Sequence, residues 1–179
     1  QQVPGSVLWL MSRSERSQTN LRASARAAGV DPDRLVFAQR VPRVEDHLAR
    51  YRLADLFLDT HPYNAHSTAA DALLAGLPVL TCSGQSFPSR VAGSLLHAAG
   101  LPELVTHSMA DYEQLALALA RDPARLAALK QRLAERQRDS ALFDVDRFTR
   151  HLETTYIAMW RQSQLGGARD ALSAPTPSA

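Results

Sequence analysis

The sequence has a single cysteine, Cys82, and a single lysine, Lys130, among its 179 residues. One cysteine excludes an intramolecular disulfide and any zinc site built on several cysteines. Since Cys82 follows a short apolar run, we expect it to be a small buried side chain rather than a nucleophile. The scarcity of lysine beside abundant arginine and alanine indicates a bias of genomic composition rather than a functional site.

Long apolar runs are also missing. No stretch approaches the ~20 apolar residues that a membrane-spanning helix requires. No secretory signal is visible, and the chain starts at Gln1 without a methionine. We therefore expect a cytoplasmic protein without membrane contact, and we interpret the start as a cut inside a longer protein.

The net charge is small. The 20 basic and 18 acidic residues give a formal charge of +2, although the isoelectric point is near 9.0. The positive excess is dispersed along the chain, which argues against a dedicated nucleic-acid binder. With 45% hydrophobic and 21% charged residues, the composition is that of an ordinary globular domain.

Short apolar runs alternate with segments of helical spacing. The apolar runs predict parallel strands at 7–11, 35–38, 56–59, 78–81 and 104–106. The helical spacing predicts helices at 19–30, 44–54, 67–75, 88–99, 109–121, 123–139 and 145–164. Repeated βα units predict an α/β domain over 1–166, with a Rossmann-like parallel sheet and helices on both faces. The small, polar residues of 167–179 predict a disordered tail.

Glycine-rich phosphate motifs are absent. Neither G-x-G-x-x-G nor a P-loop occurs, so the common dinucleotide and Walker-type functions lose their main support. We predict no metal site either, because the loop residues His61 and His66 have no adjacent set of carboxylates or cysteines. In open parallel sheets, ligands bind beyond the carboxyl ends of the strands, so the loops after the predicted strands carry the candidate sites.

The loop after the third predicted strand is rich in polar side chains. His66, Ser67 and Thr68 stand at the start of the next helix, where free N–H groups and the helix dipole favour a phosphate. Asp71 lies one turn further on roughly the same face, where a carboxylate can accept two hydrogen bonds from a ribose diol. The alternative is purely structural: Ser67 caps the helix and Asp71 complements its dipole.

Two other segments carry candidate residues. His47 and Arg50 share a face of the second predicted helix, preceded by Arg43, and can stack on a base or reach a phosphate. The segment 84–90 is a loop-to-helix junction after the fourth strand. The structural alternatives are a solvated helix face for the first segment and an ordinary capped turn for the second.

Several segments resemble one family, the O-linked N-acetylglucosamine transferases with the related SPINDLY-type proteins. They are VPGSVLWL, LADLFLDT, NAHSTAAD, AGLPVLT, SRVA and YIAMW, at 3–10, 53–60, 64–71, 75–81, 89–92 and 156–160. As an ordered set these motifs are specific, and they span nearly everything except the tail. The resemblance implies the C-terminal half of a two-domain GT-B architecture, the half that holds the UDP part of UDP-N-acetylglucosamine, and we expect a bacterial member.

The resemblance also implies roles for the residues after the third strand. It implies that His66, Ser67 and Thr68 contact the diphosphate and assist the leaving group, and that Asp71 binds the ribose. Ser67 stands where the animal enzymes have threonine, so the hydroxyl is kept.

On the uridine side, the resemblance aligns His47 and Arg50 with nucleotide-binding positions of the family. Val41 aligns with a position whose backbone contacts the uracil. The family has a lysine three residues before this histidine, whereas the present sequence has Val44 there, and the nearest cation is Arg43.

The implied reaction transfers N-acetylglucosamine from UDP-N-acetylglucosamine to serine or threonine hydroxyls of proteins, with inversion and without a metal or other cofactor. Its implied partners are an N-terminal catalytic half and tetratricopeptide repeats of the parent chain, and a protein acceptor. The family's Gln-x-x-Lys segment precedes this chain, which offers no general base, so we predict that the isolated chain folds but has little or no transferase activity. Two alternatives stay open: another GT-B enzyme, such as a different sugar transferase or a UDP-sugar epimerase, and a non-catalytic nucleotide-sugar or protein-binding module.

Overall fold

The structure is a computed structural model that describes residues 2–12, 14–136 and 140–164. The predicted tail at 167–179 and the last residues of the helix predicted at 123–139 lie outside these ranges. The described strands and helices, in chain order, are β1 (Leu8–Met11), α1 (Glu15–Ala27), β2 (Leu35–Ala38), α2 (Val44–Arg50), β3 (Phe57–Leu58), α3 (Ser67–Leu74), β4 (Val79–Cys82), α4 (Val91–Ala99), β5 (Val105–Thr106), α5 (Met109–Ala120), α6 (Pro123–Arg136) and α7 (Val145–Gln164).

The predicted alternation of strands and helices is confirmed, and every strand pairing in the described residues is parallel. The strands form two hydrogen-bonded sheets rather than one, with orders β1–β2 and β3–β4–β5. The predicted and observed bounds agree for β2 and α7. The third strand is shorter than predicted, with two residues, and a 3-10 turn, Tyr51–Leu53, follows α2 where the sequence predicted a longer helix. Left-handed glycines follow the ends of α3 and α4, at Gly76 (φ +85°) and Gly100 (φ +74°), as their positions in the sequence indicated.

The core lies around β4, whose four residues are all buried. Leucines of α3, α4, α5 and α6 pack into one cluster with this strand, among them Leu73, Leu96, Leu119 and Leu133. Each fully buried leucine contributes about 1.5–3 kcal/mol relative to an exposed one. The three-stranded sheet is therefore the stable base from which the loops at its carboxyl edge project.

β1 is not the buried strand that its apolar run predicted. Leu8 and Met11 are 43% and 53% exposed, and Val36 of the paired strand β2 is 41% exposed. A continuous apolar run predicts a strand, but burial requires helices over both faces, and the described residues do not cover β1 in this way. On the β2 side, the Arg22 guanidinium of α1 lies 5.1 Å from the centre of the Phe37 ring.

α7 is a 20-residue amphipathic helix with no buried residue. Its exposed apolar side chains include Phe148, Tyr156 and Trp160. Among the helices of the described ranges, none is long and apolar enough to cross a membrane.

Candidate functional site

A cleft opens where β3 ends and α3 begins. Its volume is about 450 Å³, and it is lined by residues 57–60 and 63–68. The position agrees with the general rule that ligands of open parallel sheets bind beyond the carboxyl ends of the strands. His66, Ser67 and Thr68 line this cleft, whereas the other predicted site residues lie outside its lining.

A buried carboxylate fixes the connection between β3 and α3. Asp59 is 6% exposed, and its Oδ1 accepts hydrogen bonds from the backbone N–H groups of Thr60 (2.8 Å) and Ala65 (2.7 Å). Its Oδ2 accepts a hydrogen bond from the hydroxyl of Thr81 on β4 at 2.6 Å. Burial raises the pKa of Asp59, and these hydrogen bonds partly oppose the rise. Both ends of the loop are thereby tied to the sheet.

Two further side chains hold the same loop. The Tyr112 hydroxyl donates a hydrogen bond to the backbone carbonyl of Asp59 at 2.9 Å, and burial raises the pKa of this phenol. Asn64 is 1% exposed, and its amide nitrogen donates to the carbonyl of Thr60 at 3.0 Å. The backbone N–H of Asn64 donates to the carbonyl of Pro88 at 3.1 Å. The loop is thus connected to α5 and to the segment before α4.

The first turn of α3 faces the cleft with its backbone donors uncapped. His66 is the N-cap residue, and its side chain makes no capping hydrogen bond within the described structure. The structural alternative in which Ser67 caps the helix is therefore wrong: Ser67 is the first helical residue, and both it and Thr68 are exposed. Uncapped N–H groups, two hydroxyls and the positive end of the helix dipole together suit an anion.

The imidazole of His66 lies between two aromatic rings. The Tyr63 ring stacks on it at a centroid distance of 5.2 Å and an interplanar angle of 14°. The Phe87 ring meets it edge-on at 6.2 Å and 89°. Its Nε2 atom is buried and has no hydrogen-bond partner among the described residues. The sequence reasoning missed these contacts, because Tyr63 and Phe87 belong to different loops.

Tyr51 is a partly buried side chain next to the predicted residues of α2. Burial raises the pKa of its phenol most strongly, the nearby negative charge of Asp71 adds to the rise, and Arg50 opposes it. The His47 ring meets the Tyr51 ring edge-on at 5.3 Å and 69°. The structure therefore brings the predicted residue His47 against Tyr51, which the sequence reasoning did not name.

The remaining residues predicted near α2 differ in how they are held. Arg50 Nη1 donates to the carbonyl oxygen of Gln39 at 2.9 Å, which fastens α2 to the segment before it. Val41 of that segment is half-buried. Arg43 only forms a pair with Glu45, with 3.5 Å between Nε and Oε2, and both side chains are largely exposed.

The segment 84–90 forms a tight turn with an exposed Arg90, but this N-cap residue of α4 makes no side-chain capping hydrogen bond, unlike the capped turn of the structural alternative. Gly84 N–H donates to the Ser89 carbonyl at 2.9 Å, and a Cβ on Gly84 would lie 2.6 Å from Ser89 Oγ, so the turn requires glycine. Cys82, just before it, is 3% exposed, which confirms the predicted buried side chain. No group of three or more potential metal-binding His, Cys, Asp or Glu side chains occurs in the part of the chain that the structure describes.

Comparisons with known proteins agree with one another. A sequence profile described as "Glycosyl transferase family 41" matches residues 1–152. An Arabidopsis thaliana protein named probable UDP-N-acetylglucosamine–peptide N-acetylglucosaminyltransferase SEC is 38% identical over 88% of this chain and 16% of its own length. A Caenorhabditis elegans protein named UDP-N-acetylglucosamine–peptide N-acetylglucosaminyltransferase is 36% identical over 92% of this chain and 14% of its own length.

A solved structure is similar as well. A mutant of the Thermobaculum terrenum O-GlcNAc transferase superposes with a TM-score of 0.83 at 35% identity, covering 90% of this chain and 32% of that chain. The present chain therefore spans a minor part of the length of each of these three proteins. The similarity supports the predicted fold, with parallel strands and intervening helices.

Proposed function

The chain belongs to glycosyl transferase family 41, and from this premise we propose that it is the UDP-binding half of a protein N-acetylglucosaminyltransferase. The full protein would transfer N-acetylglucosamine from UDP-N-acetylglucosamine to serine or threonine hydroxyls, with inversion. The observation that carries the proposal is the uncapped N-terminus of α3, which faces the cleft with His66, Ser67 and Thr68.

These three residues stabilise the departing diphosphate. Negative charge grows on UDP as the sugar leaves, and donors that are already in place stabilise this charge without reorganisation. The backbone N–H groups of the first turn, the hydroxyls of Ser67 and Thr68 and the His66 imidazole supply such donors. Asp59 supports the arrangement because its buried carboxylate fixes the loop that precedes the helix.

The nucleoside contacts form the second part of the proposal. Asp71 accepts hydrogen bonds from the ribose diol, and His47 and Arg50 contact the uridine side, where the His47 ring meets the Tyr51 ring edge-on. The backbone of Val41 contacts the uracil, and Arg43 supplies a cation near the position of the family's lysine. Holding the nucleotide at both ends orients the sugar bond for attack, which is a proximity contribution.

The remaining partners belong to the same proposal. The reaction needs no metal or other cofactor, the second wall of the cleft is an N-terminal catalytic half, and tetratricopeptide repeats of the parent chain select the protein acceptor. We propose a cytoplasmic location as well. A single free cysteine, Cys82, supports it, because disulfides are rare in that compartment.

Calorimetric titration with UDP tests the assignment of the site. We expect Asp71→Ala to weaken UDP binding by about 1.5–3 kcal/mol, because a charge-assisted hydrogen bond to the ribose is lost. Asp33→Ala is the matched control, since it removes an exposed carboxylate from another turn and should leave the affinity unchanged. If the folded chain does not bind UDP, the same titration is made on the full-length protein. Equal affinity of the wild type and Asp71→Ala there would contradict the proposal.

A further inference from the structure

The orientation of the His66 ring depends on aromatic contacts. Other polar side chains of this loop are held by hydrogen bonds, as Asp59 and Asn64 are. His66 Nε2, in contrast, has no protein partner among the described residues although it is buried. The contacts that the ring does make are the parallel stack with Tyr63 and the edge-on contact with Phe87.

We propose that Tyr63 and Phe87 are positioning residues that hold the His66 imidazole toward the diphosphate leaving group, a role that rests on the proposed function. Tyr63 covers one face of the imidazole, and Phe87 meets it edge-on. Together they restrict the rotation of a side chain that would otherwise sample several rotamers. The entropy of ordering the ring is then lost on folding rather than on binding the nucleotide.

Both aromatic residues are themselves held by the backbone around them. The carbonyl of Tyr63 accepts a hydrogen bond from the Thr60 hydroxyl at 2.6 Å. The carbonyl of Phe87 accepts one from the Arg90 N–H at 3.1 Å. The two rings come from separate loops, and the hydrogen bond from Asn64 N–H to the Pro88 carbonyl joins these loops. The backbone segments that carry the two rings are therefore tied to one another beside the imidazole.

Their exposure is consistent with a role at the site rather than in the core. Tyr63 is 64% exposed and Phe87 is 73% exposed, and neither belongs to the buried cluster around β4. Truncation of either ring should therefore leave the fold intact. Any change in nucleotide affinity then reports on the cleft rather than on global stability.

The test is a double-mutant cycle in the full-length protein, read by calorimetric titration with UDP and with uridine. We expect Tyr63→Ala and Phe87→Ala each to weaken UDP binding about three- to tenfold, the scale of one aromatic contact. Uridine affinity should be unchanged, because uridine carries no diphosphate. Tyr63→Phe keeps the ring that stacks on His66, so this variant should bind UDP with the affinity of the wild type. Thermal unfolding of every variant checks the fold.

The His66→Ala variant separates the positioning role of Tyr63 and Phe87 from the proposed contact between His66 and the diphosphate. If Tyr63 and Phe87 act through the imidazole, their truncation should cause no further loss of UDP affinity once His66 is alanine. A full-length His66→Ala protein that binds UDP as tightly as wild type would overturn the proposed diphosphate contact itself. If His66→Ala weakens binding but the aromatic variants do not, or if they weaken it equally in the His66→Ala background, only the positioning role is wrong.

Discussion

The two sides of the candidate site are constructed in different ways. The loop side (residues 59–68) is fixed from within the protein: Asp59 and Asn64 are buried, and their hydrogen bonds reach β4, α5 and the turn before α4. The α2 side (Val44–Arg50 with Tyr51) has no fully buried residue, although Tyr51 is partly buried against the core. Its described polar contacts are few and largely exposed, and the Arg43–Glu45 pair is the plainest example.

This difference matches the work proposed for each side. A diphosphate that gains charge during the reaction is stabilised best by donors that do not have to move. A nucleoside keeps the same charge throughout, so its contacts need only bind and orient it. Under the proposed function, rigidity of the loop side would affect the reaction rate, whereas the α2 side could adjust its side chains at small cost.

Removal of the buried Asp59 carboxylate should leave the loop side as weakly held as the α2 side. Of the variants considered, we expect this one to lower the free energy of unfolding most. Asp59→Ala deprives two backbone N–H groups and the Thr81 hydroxyl of their acceptor, so the free energy of unfolding should fall by about 2–4 kcal/mol. Urea denaturation measures this change. Asp59→Asn keeps an acceptor oxygen and should lose clearly less. A change below about 0.5 kcal/mol for Asp59→Ala would mean that the loop does not depend on this residue.

The pH dependence of stability sharpens the comparison, because burial raises the pKa of Asp59 above its ordinary value of 3.8. A raised folded-state pKa means that the protonated carboxyl favours the folded state. The stabilisation of the folded state by protonated Asp59 is fully present below pH 3.8, and it is lost as the pH rises through the raised pKa. The stability of the wild type relative to Asp59→Asn should therefore decrease with rising pH over this window. If the free energies of unfolding of the wild type and of Asp59→Asn differ by the same amount at all pH values, this explanation is wrong.

The smallest effects should come from the α2 side. Arg50→Ala removes the hydrogen bond to the Gln39 carbonyl and should lower the free energy of unfolding by about 1 kcal/mol. Arg43→Ala breaks only an exposed pair with Glu45 and should change it by less than about 0.5 kcal/mol. Urea denaturation of the two variants side by side provides the measurement. A larger loss for Arg43→Ala than for Arg50→Ala would reverse this ranking of contacts within α2.

Local patterns in the sequence predicted the features that depend on neighbours in the chain. The periodicity of α7, the alternation of strands and helices, and the position of His66, Ser67 and Thr68 at a helix start all follow from such patterns. The N-cap is His66 and not Ser67, one residue later, which the sequence suggested. A hydroxyl beside a helix start is a cap only if the backbone turns at that residue. β1 was predicted to be buried because an apolar run does not reveal what covers it.

Contacts between distant segments could not be read in the same way. Thr81 lies 22 residues beyond Asp59, and Tyr112 lies 53 residues beyond it, so no local spacing links them. The aromatic contacts of His66 join two loops. These contacts are set by the packing of the sheet and its helices, which composition and periodicity describe only as a class of fold.

The hydrogen bond from Tyr112 to the Asp59 carbonyl has a consequence for local unfolding. Surface loops ordinarily open independently of the core and exchange their amide hydrogens quickly. Here the amides of Thr60 and Ala65 are bound to a carboxylate that is tied to β4, and the same residue is tied through its carbonyl to α5. We therefore expect the loop and the central strand to open together, so that these two amides exchange more slowly than those of an untethered surface loop.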